Sequence, residues 1–158
     1  RVKYAFLNNL IIKIAGPFMR ESEKHGASGL PFYAIGVSLS LMFFSEKVAL
    51  LSVFFLVFSD PIISLFGVLY GKNKILPNKS LEGSLAGFFL CSFITALYVS
   101  LSTPDASPFK IILFSFLGGV IGTTSEILSA FGVDDNLTIP LVSGFGLSVV
   151  NYFMPVLF

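Results

Sequence analysis

The sequence predicts an all-α protein, a polytopic bundle of five to six transmembrane helices, and three observations carry that prediction. Hydrophobic residues make up 54% of the 158, charged residues only 12%, and the mean hydropathy is +0.88; an ordinary soluble domain carries roughly 25% charge. The apolar residues gather into five runs close to the ~20 residues that a bilayer core demands of a helix. Phe occurs 19 times and Trp not at all, a composition suited to lipid-facing helices.

The runs follow one another along the chain. The first, Leu30 to Phe44, is short. The second, Val48 to Tyr70, contains Asp60-Pro61, and the missing N–H of Pro61 predicts a kink beside the acid. The third, Ser84 to Leu101, follows Ser80, a helix-capping residue type, with Glu82 placed in the first turn. The fourth, Phe109 to Phe131, holds Glu126, and the fifth is Ile139 to Leu157. An N-terminal stretch, Tyr4 to Met19, is interrupted by Asn8, Asn9 and Lys13 and reads as a tilted or truncated sixth span. No soluble domain boundary interrupts the chain, so residues 1–158 read as one transmembrane catalytic domain. It opens on Arg1 and stops inside an apolar run at Phe158, which reads as a piece of a longer protein with sequence upstream.

Composition also excludes function classes. A net charge of +1 without a long basic run gives no reason to expect nucleic acid. The single cysteine, Cys91, allows no intrachain disulfide and argues against a cysteine-based metal site. His25 is the one histidine, which argues against a Ser-His-Asp triad. The loops alternate between two sides, with Arg20–Gly29, Gly71–Gly83 and Gly132–Thr138 on one and Ser45–Lys47 and Ser102–Pro108 on the other. The first side holds Arg20, Lys24, Lys72, Lys74 and Lys79; the second holds Lys47 and borders Lys110. Basic residues favour the cytoplasmic side, so the first side is expected there.

Most of the unusual polar residues belong to that side. Asp60 lies in a span, where a charge costs about 2.5–3.5 kcal/mol on insertion scales. Asp60, Ser64, Gly67 and Gly71 share one helix face, either a packing face or a functional one. Gly119, Gly122, Thr123 and Glu126 repeat the pattern, and the two faces are expected to pack together and bring Asp60 near Glu126. Such oxygen ligands suit Mg²⁺ completed by substrate phosphates; a cation path is the other use. In the loop Gly71–Gly83, Lys72, Lys74 and Lys79 surround a helix N-terminus, a seat for phosphate or a basic surface for lipid headgroups. Asp134-Asp135-Asn136 can bind a divalent ion, order a ribose or cap the fifth helix. Arg20 and Glu23 stand in the first loop of the same side as an ion pair or as site residues.

In these residues the chain resembles the dolichol kinase, phytol kinase and CTP-dependent diacylglycerol kinase family, from about Arg20 to Gly144. The resemblance rests on Arg20 to Gly29, on Asp60 through Gly71-Lys72, on Lys79-Ser80-Leu81-Glu82-Gly83-Ser84, and on Glu126 followed by Asp134 to Pro140. The middle block is also similar to the CDP-diacylglycerol synthases. Those usually carry Ser-Pro-Lys-Thr where Pro77-Asn78-Lys79-Ser80 stands here. An upstream Arg-Lys and His motif of the kinases has no counterpart in this chain.

The resemblance implies transfer of the γ-phosphate of CTP, or of another nucleoside triphosphate, to the hydroxyl of a polyprenol, phytol or diacylglycerol, with Mg²⁺ as cofactor. It implies catalytic roles for Asp60, Lys79, Glu82 and Glu126, and nucleotide contacts from Lys72, Lys79, Ser80, Gly83, Asp134, Asp135 and Asn136. Metal ligands are expected among Asp60, Glu126, Asp134 and Asp135, with Asp60, for its burial, the preferred acceptor of the hydroxyl proton. The setting would be an integral one, in a prokaryotic inner membrane or an endoplasmic reticulum or plastid membrane, and a homodimer is compatible with it. The rival readings are a cytidylyltransferase and, from another class, a cation-coupled transporter lined by Asp60 and Glu126.

Overall fold

The computed structural model describes residues 29–157. The expected N-terminal stretch Tyr4 to Met19, together with Arg20, Glu23 and His25, lies outside the described residues. Within them, five helical stretches stand where the five apolar runs predict them. Helix α1 is Gly29–Phe43. Helix α2 (Glu46–Phe54), a π-helical turn (Phe55–Ser59) and α3 (Asp60–Tyr70) form one continuous rod. Pro61 cannot donate to the carbonyl four residues back, and the helix answers by widening into the π turn just before it. The expected kink takes that form.

Capping chemistry sets the other boundaries. Helix α4 (Leu81–Ser102) starts where Ser80 Oγ accepts the N–H of Gly83 at 3.2 Å. Ser107 caps α5 (Pro108–Ser129), whose first residue is a proline, a position where the absent N–H costs nothing. Helix α6 (Asp135–Phe153) begins four residues before the predicted Ile139, because Asp134 caps it by accepting the N–H of Asn136 at 3.0 Å. It ends early as well. The Asn151 carboxamide oxygen accepts the N–H groups of Val156 and Leu157 at 2.9 and 2.8 Å, folding the chain back beyond Met154.

Among the described residues, three stretches are long and apolar enough to cross a membrane: Glu46–Tyr70, Leu81–Ser102 and Pro108–Ser129. At ~1.5 Å per residue, a helix the length of α4 spans ~33 Å against a hydrocarbon core of ~30 Å. Helix α4 lies between α3 and α5, α5 packs on α6, and α6 returns against α1 and α2. The core runs through Leu51, Phe55, Cys91, Val99, Phe114, Ile139 and Leu147. Outside it Met42, Val68, Phe89, Tyr152 and Phe153 stand fully exposed; in water that surface would be a liability, in a bilayer it is the solvent-facing side. The chain is an integral membrane protein. Buried hydroxyls such as Thr95, Ser125 and Ser143 bond back to carbonyls of their own helices, which satisfies them without water.

The two small-residue faces do not pack on each other as expected. Both pack on α4. A Cβ on Gly83 would meet the Gly67 Cα at 3.3 Å, and one on Gly122 would meet the Cys91 Sγ at 2.5 Å, so backbone approach is what the glycines permit on both seams. A second departure lies in the loop before α4. It folds into a small antiparallel ribbon, β1 (Lys74–Leu76) against β2 (Lys79–Ser80), with Lys74 opposite Ser80 and Leu76 opposite Lys79.

Candidate active site

The ribbon, α3, α4 and α5 enclose a cleft of about 410 Å³. Helix α3 supplies Ser64, Gly67 and Gly71, the ribbon supplies Lys74, Asn78 and Lys79, α4 and its cap supply Ser80, Gly83 and Ser84, and α5 supplies Glu126. The predicted α3 face is therefore the cleft wall, with Asp60 continuing it towards the bilayer interior. Strand pairing fixes the backbone of Lys79 opposite Leu76, and its ammonium forms an ion pair with Glu126 Oε1. The two side chains are 14% and 3% exposed. This pair explains how a carboxylate is tolerated inside a span: its partner arrives from the ribbon, 47 residues away in sequence. The other carboxylate oxygen, Glu126 Oε2, is buried without a hydrogen bond, and so are Ser84 Oγ and Thr123 Oγ1.

The remaining expected residues sort by position. Glu82 is not in the cleft wall. Its carboxylate receives the Asn73 backbone N–H at 3.2 Å and the Asn73 amide at 2.8 Å, while Leu81 N–H bonds Asn73 O at 2.8 Å. These bonds clip the start of the loop to the start of α4 and so hold the ribbon, and with it Lys79, over the cleft. Lys72 is exposed beside Gly71; Lys74 lines the cleft in its stead. Asp134, Asp135 and Asn136 bond one another at the head of α6, the capping use among those the sequence allowed, and they do not line the cleft. Of the four acids expected to hold a metal, the cleft wall includes Glu126, and among the described residues no group of three or more metal-ligating side chains stands together.

Two features of the site escaped sequence reasoning. The Lys79–Glu126 pair carries a signal that was available, since an acid in a span requires a cation and the nearby loop is rich in lysine. Ser84 closes a motif that the resemblance quoted, but the direction of its hydroxyl has no sequence signal.

The model of the cytidylyltransferase family matches residues 3–130 of this chain. The chain belongs to that family. The match includes every residue of the cleft and ends before Asp134. This family member is 35% identical over 167 aligned residues to CTP-dependent diacylglycerol kinase 1 of Saccharomyces cerevisiae, which covers 95% of this chain and 58% of that protein. It is 38% identical over 153 residues to the protein of the same name from Schizosaccharomyces pombe, covering 90% of this chain and 69% of the relative. For the Eremothecium gossypii protein of that name the figures are 34% over 160 residues, 90% and 50%. The chain thus spans between half and about two thirds of the length of these curated relatives. No solved structure matches it.

Proposed function

We propose that this chain forms the transmembrane catalytic domain of a lipid kinase that transfers the γ-phosphate of CTP to the hydroxyl of a membrane lipid, with diacylglycerol first among the acceptors. The observation that carries the reading is the cleft itself. It places two lysines, Lys74 and Lys79, and a helix N-terminus beside a buried carboxylate, Glu126, at the membrane-interface end of three helices. The similar proteins named for CTP and diacylglycerol support the same choice of donor and acceptor.

Phosphoryl transfer asks a protein mostly for positioning and charge stabilisation. Lys74 and Lys79 meet the negative charge of the triphosphate, and the first turn of α4 offers N–H groups. The glycines at 67, 71 and 83 let α3, Ser80 and the start of α4 close tightly on one another, which shapes that wall of the cleft. Mg²⁺ usually takes one or two carboxylates plus substrate phosphates. A single acid fits an ion that arrives with the triphosphate, whereas an all-protein cage does not; Asp60, next along the α3 face beyond the cleft wall, would be that ligand. When bound, the ion neutralises charge on the transferring phosphates. Asp134 and Asp135 serve as the cap of α6, and Glu82 positions the ribbon. The loop lysines support a cytoplasmic placement of the cleft.

The family's description as cytidylyltransferases makes attack at the α-phosphorus the second reading. A test on the full-length protein in detergent offers γ-labelled CTP and Mg²⁺ with diacylglycerol, dolichol and phytol. Label in a lipid, lost in Lys79→Ala and on chelation of the metal, is the expected result. Pyrophosphate release when phosphatidate is offered in a parallel reaction, with no labelled lipid from the alcohols, refutes the kinase in favour of cytidylyl transfer. Absence of any nucleotide binding refutes both.

A further inference from the structure

Ser84 behaves unlike most buried hydroxyls of this bundle. Thr95, Ser115, Ser125, Ser129 and Ser143 each donate to a carbonyl three or four residues back at 2.6–2.7 Å. Ser84 does not do so: its Oγ is buried with no partner, on a residue that lines the cleft. The residue is only 7% exposed. Glu126 Oε2, in the same cleft wall and also without a partner, stands on a residue that is 2% exposed. Unmet buried polar groups are costly, and these two make opposite demands. A carboxylate oxygen can only accept, whereas a serine hydroxyl turned from its helix has a hydrogen to donate.

A ligand that answers both must bring a hydroxyl hydrogen and, close to it, an acceptor oxygen. We infer that Glu126 Oε2 and Ser84 Oγ form the acceptor subsite, Glu126 taking the lipid hydroxyl and Ser84 donating to a neighbouring ester carbonyl, which makes Ser84 the residue that selects an ester-bearing glycerolipid. The inference rests on the kinase reading above. Depth agrees with it: Ser84 lies three residues inside the start of α4 and Glu126 three residues before the end of α5, each ~4.5 Å along its helix. That is the interfacial layer, where glycerolipid esters lie, and not the hydrocarbon centre.

A lone hydroxyl could occupy both groups, but it would then accept from Ser84 with an oxygen that must attack phosphorus. An ester carbonyl takes that donor and leaves the nucleophile unencumbered. In the step itself the lipid oxygen forms a bond to the γ-phosphorus as the bond from that phosphorus to the β–γ bridging oxygen breaks. The electron pair leaves with the nucleoside diphosphate, and the hydroxyl proton passes to Glu126 Oε2.

The test uses the full-length protein in mixed micelles with γ-labelled CTP and Mg²⁺. It compares 1,2-dioleoylglycerol, its 1,2-dialkyl ether counterpart and a long-chain monoalcohol. Loss of one neutral hydrogen bond predicts a wild-type preference for ester over ether of about two- to tenfold in kcat/KM. Ser84→Ala should erase that preference by lowering kcat/KM on the ester to the level of the ether, and Glu126→Gln should lower kcat on both lipids by about 100-fold or more. A wild-type enzyme that treats ester and ether alike overturns the inference without recourse to any variant. Equal loss on both lipids in Ser84→Ala also overturns it, assigning the serine to packing, and so does label confined to the monoalcohol; the kinase reading survives all three. Label in no lipid overturns the kinase reading and the inference together.

Discussion

Replacing Lys79 with methionine keeps most of its aliphatic stem and deletes the cation that faces Glu126. The carboxylate it abandons has a side chain only 3% exposed, with one oxygen already lacking a partner, so little water reaches it in place of the ammonium. Breaking one side of a buried ion pair costs about 3–5 kcal/mol. The Lys79 side chain keeps 14% exposure, which places the cost near the lower end, about 3 kcal/mol. For a chain of this size that corresponds to a fall in Tm of about 6–12 °C. Cys91 supplies the assay: it is the single cysteine of the chain and is buried, so a thiol-reactive fluorophore in detergent reports unfolding. The double variant K79M/E126Q removes both charges and should regain most of the loss. A Lys79→Met protein as stable as wild type, or a double variant no better than the single one, would refute the buried pair.

Gly122→Ala should destabilise by about 1–3 kcal/mol through overpacking, since the new Cβ would lie 2.5 Å from Cys91 Sγ; the same thermal assay reads it. Adding Cys91→Ala should restore part of it, read by the thermal loss of helical circular dichroism because that variant has no thiol to label. Asp134→Ala should cost about 1 kcal/mol as a lost cap, whereas Asp134→Ser should restore stability and keep full activity; loss of activity in the serine variant would instead give Asp134 a role with the nucleotide. Glu82→Gln weakens the clip to Asn73 and so loosens the ribbon. It should raise the nucleotide KM with kcat little changed, and a collapse of kcat alone would place Glu82 in the chemistry.

The helices were legible because a bilayer writes them into the sequence. Each backbone polar group must be satisfied inside its own helix, so spans appear as apolar runs, and Ser80 marks the start of α4 by local chemistry that needs no tertiary knowledge. The fifth run was misplaced by four residues at its start because apolarity is a weaker boundary signal than a cap: the helix begins at the capping Asp134, ahead of its first strongly apolar turn. The site was legible by residue type and less so by arrangement. Lysines and intramembrane acids announced themselves, but that Lys79 and not Lys72 reaches Glu126 depends on the ribbon's register. Likewise, both glycine faces pack on α4, since Cys91 and Gly83 offer them closer approach than they offer one another. Neither fact is encoded within any one segment.

The π turn at Phe55–Ser59 separates two tasks carried by a single rod. Ahead of it, Val48 and Leu51 are buried in the core; beyond it, Ser64, Gly67 and Gly71 line the cleft. One residue more or less turns everything downstream by about 100°, so the turn acts as an indexing joint that sets the phase of the second half independently of the first. The most apolar of the three candidate spans among the described residues is thereby unforgiving in length. A one-residue deletion there would leave hydropathy and span intact, yet swing Ser64 and Gly67 away from the cleft.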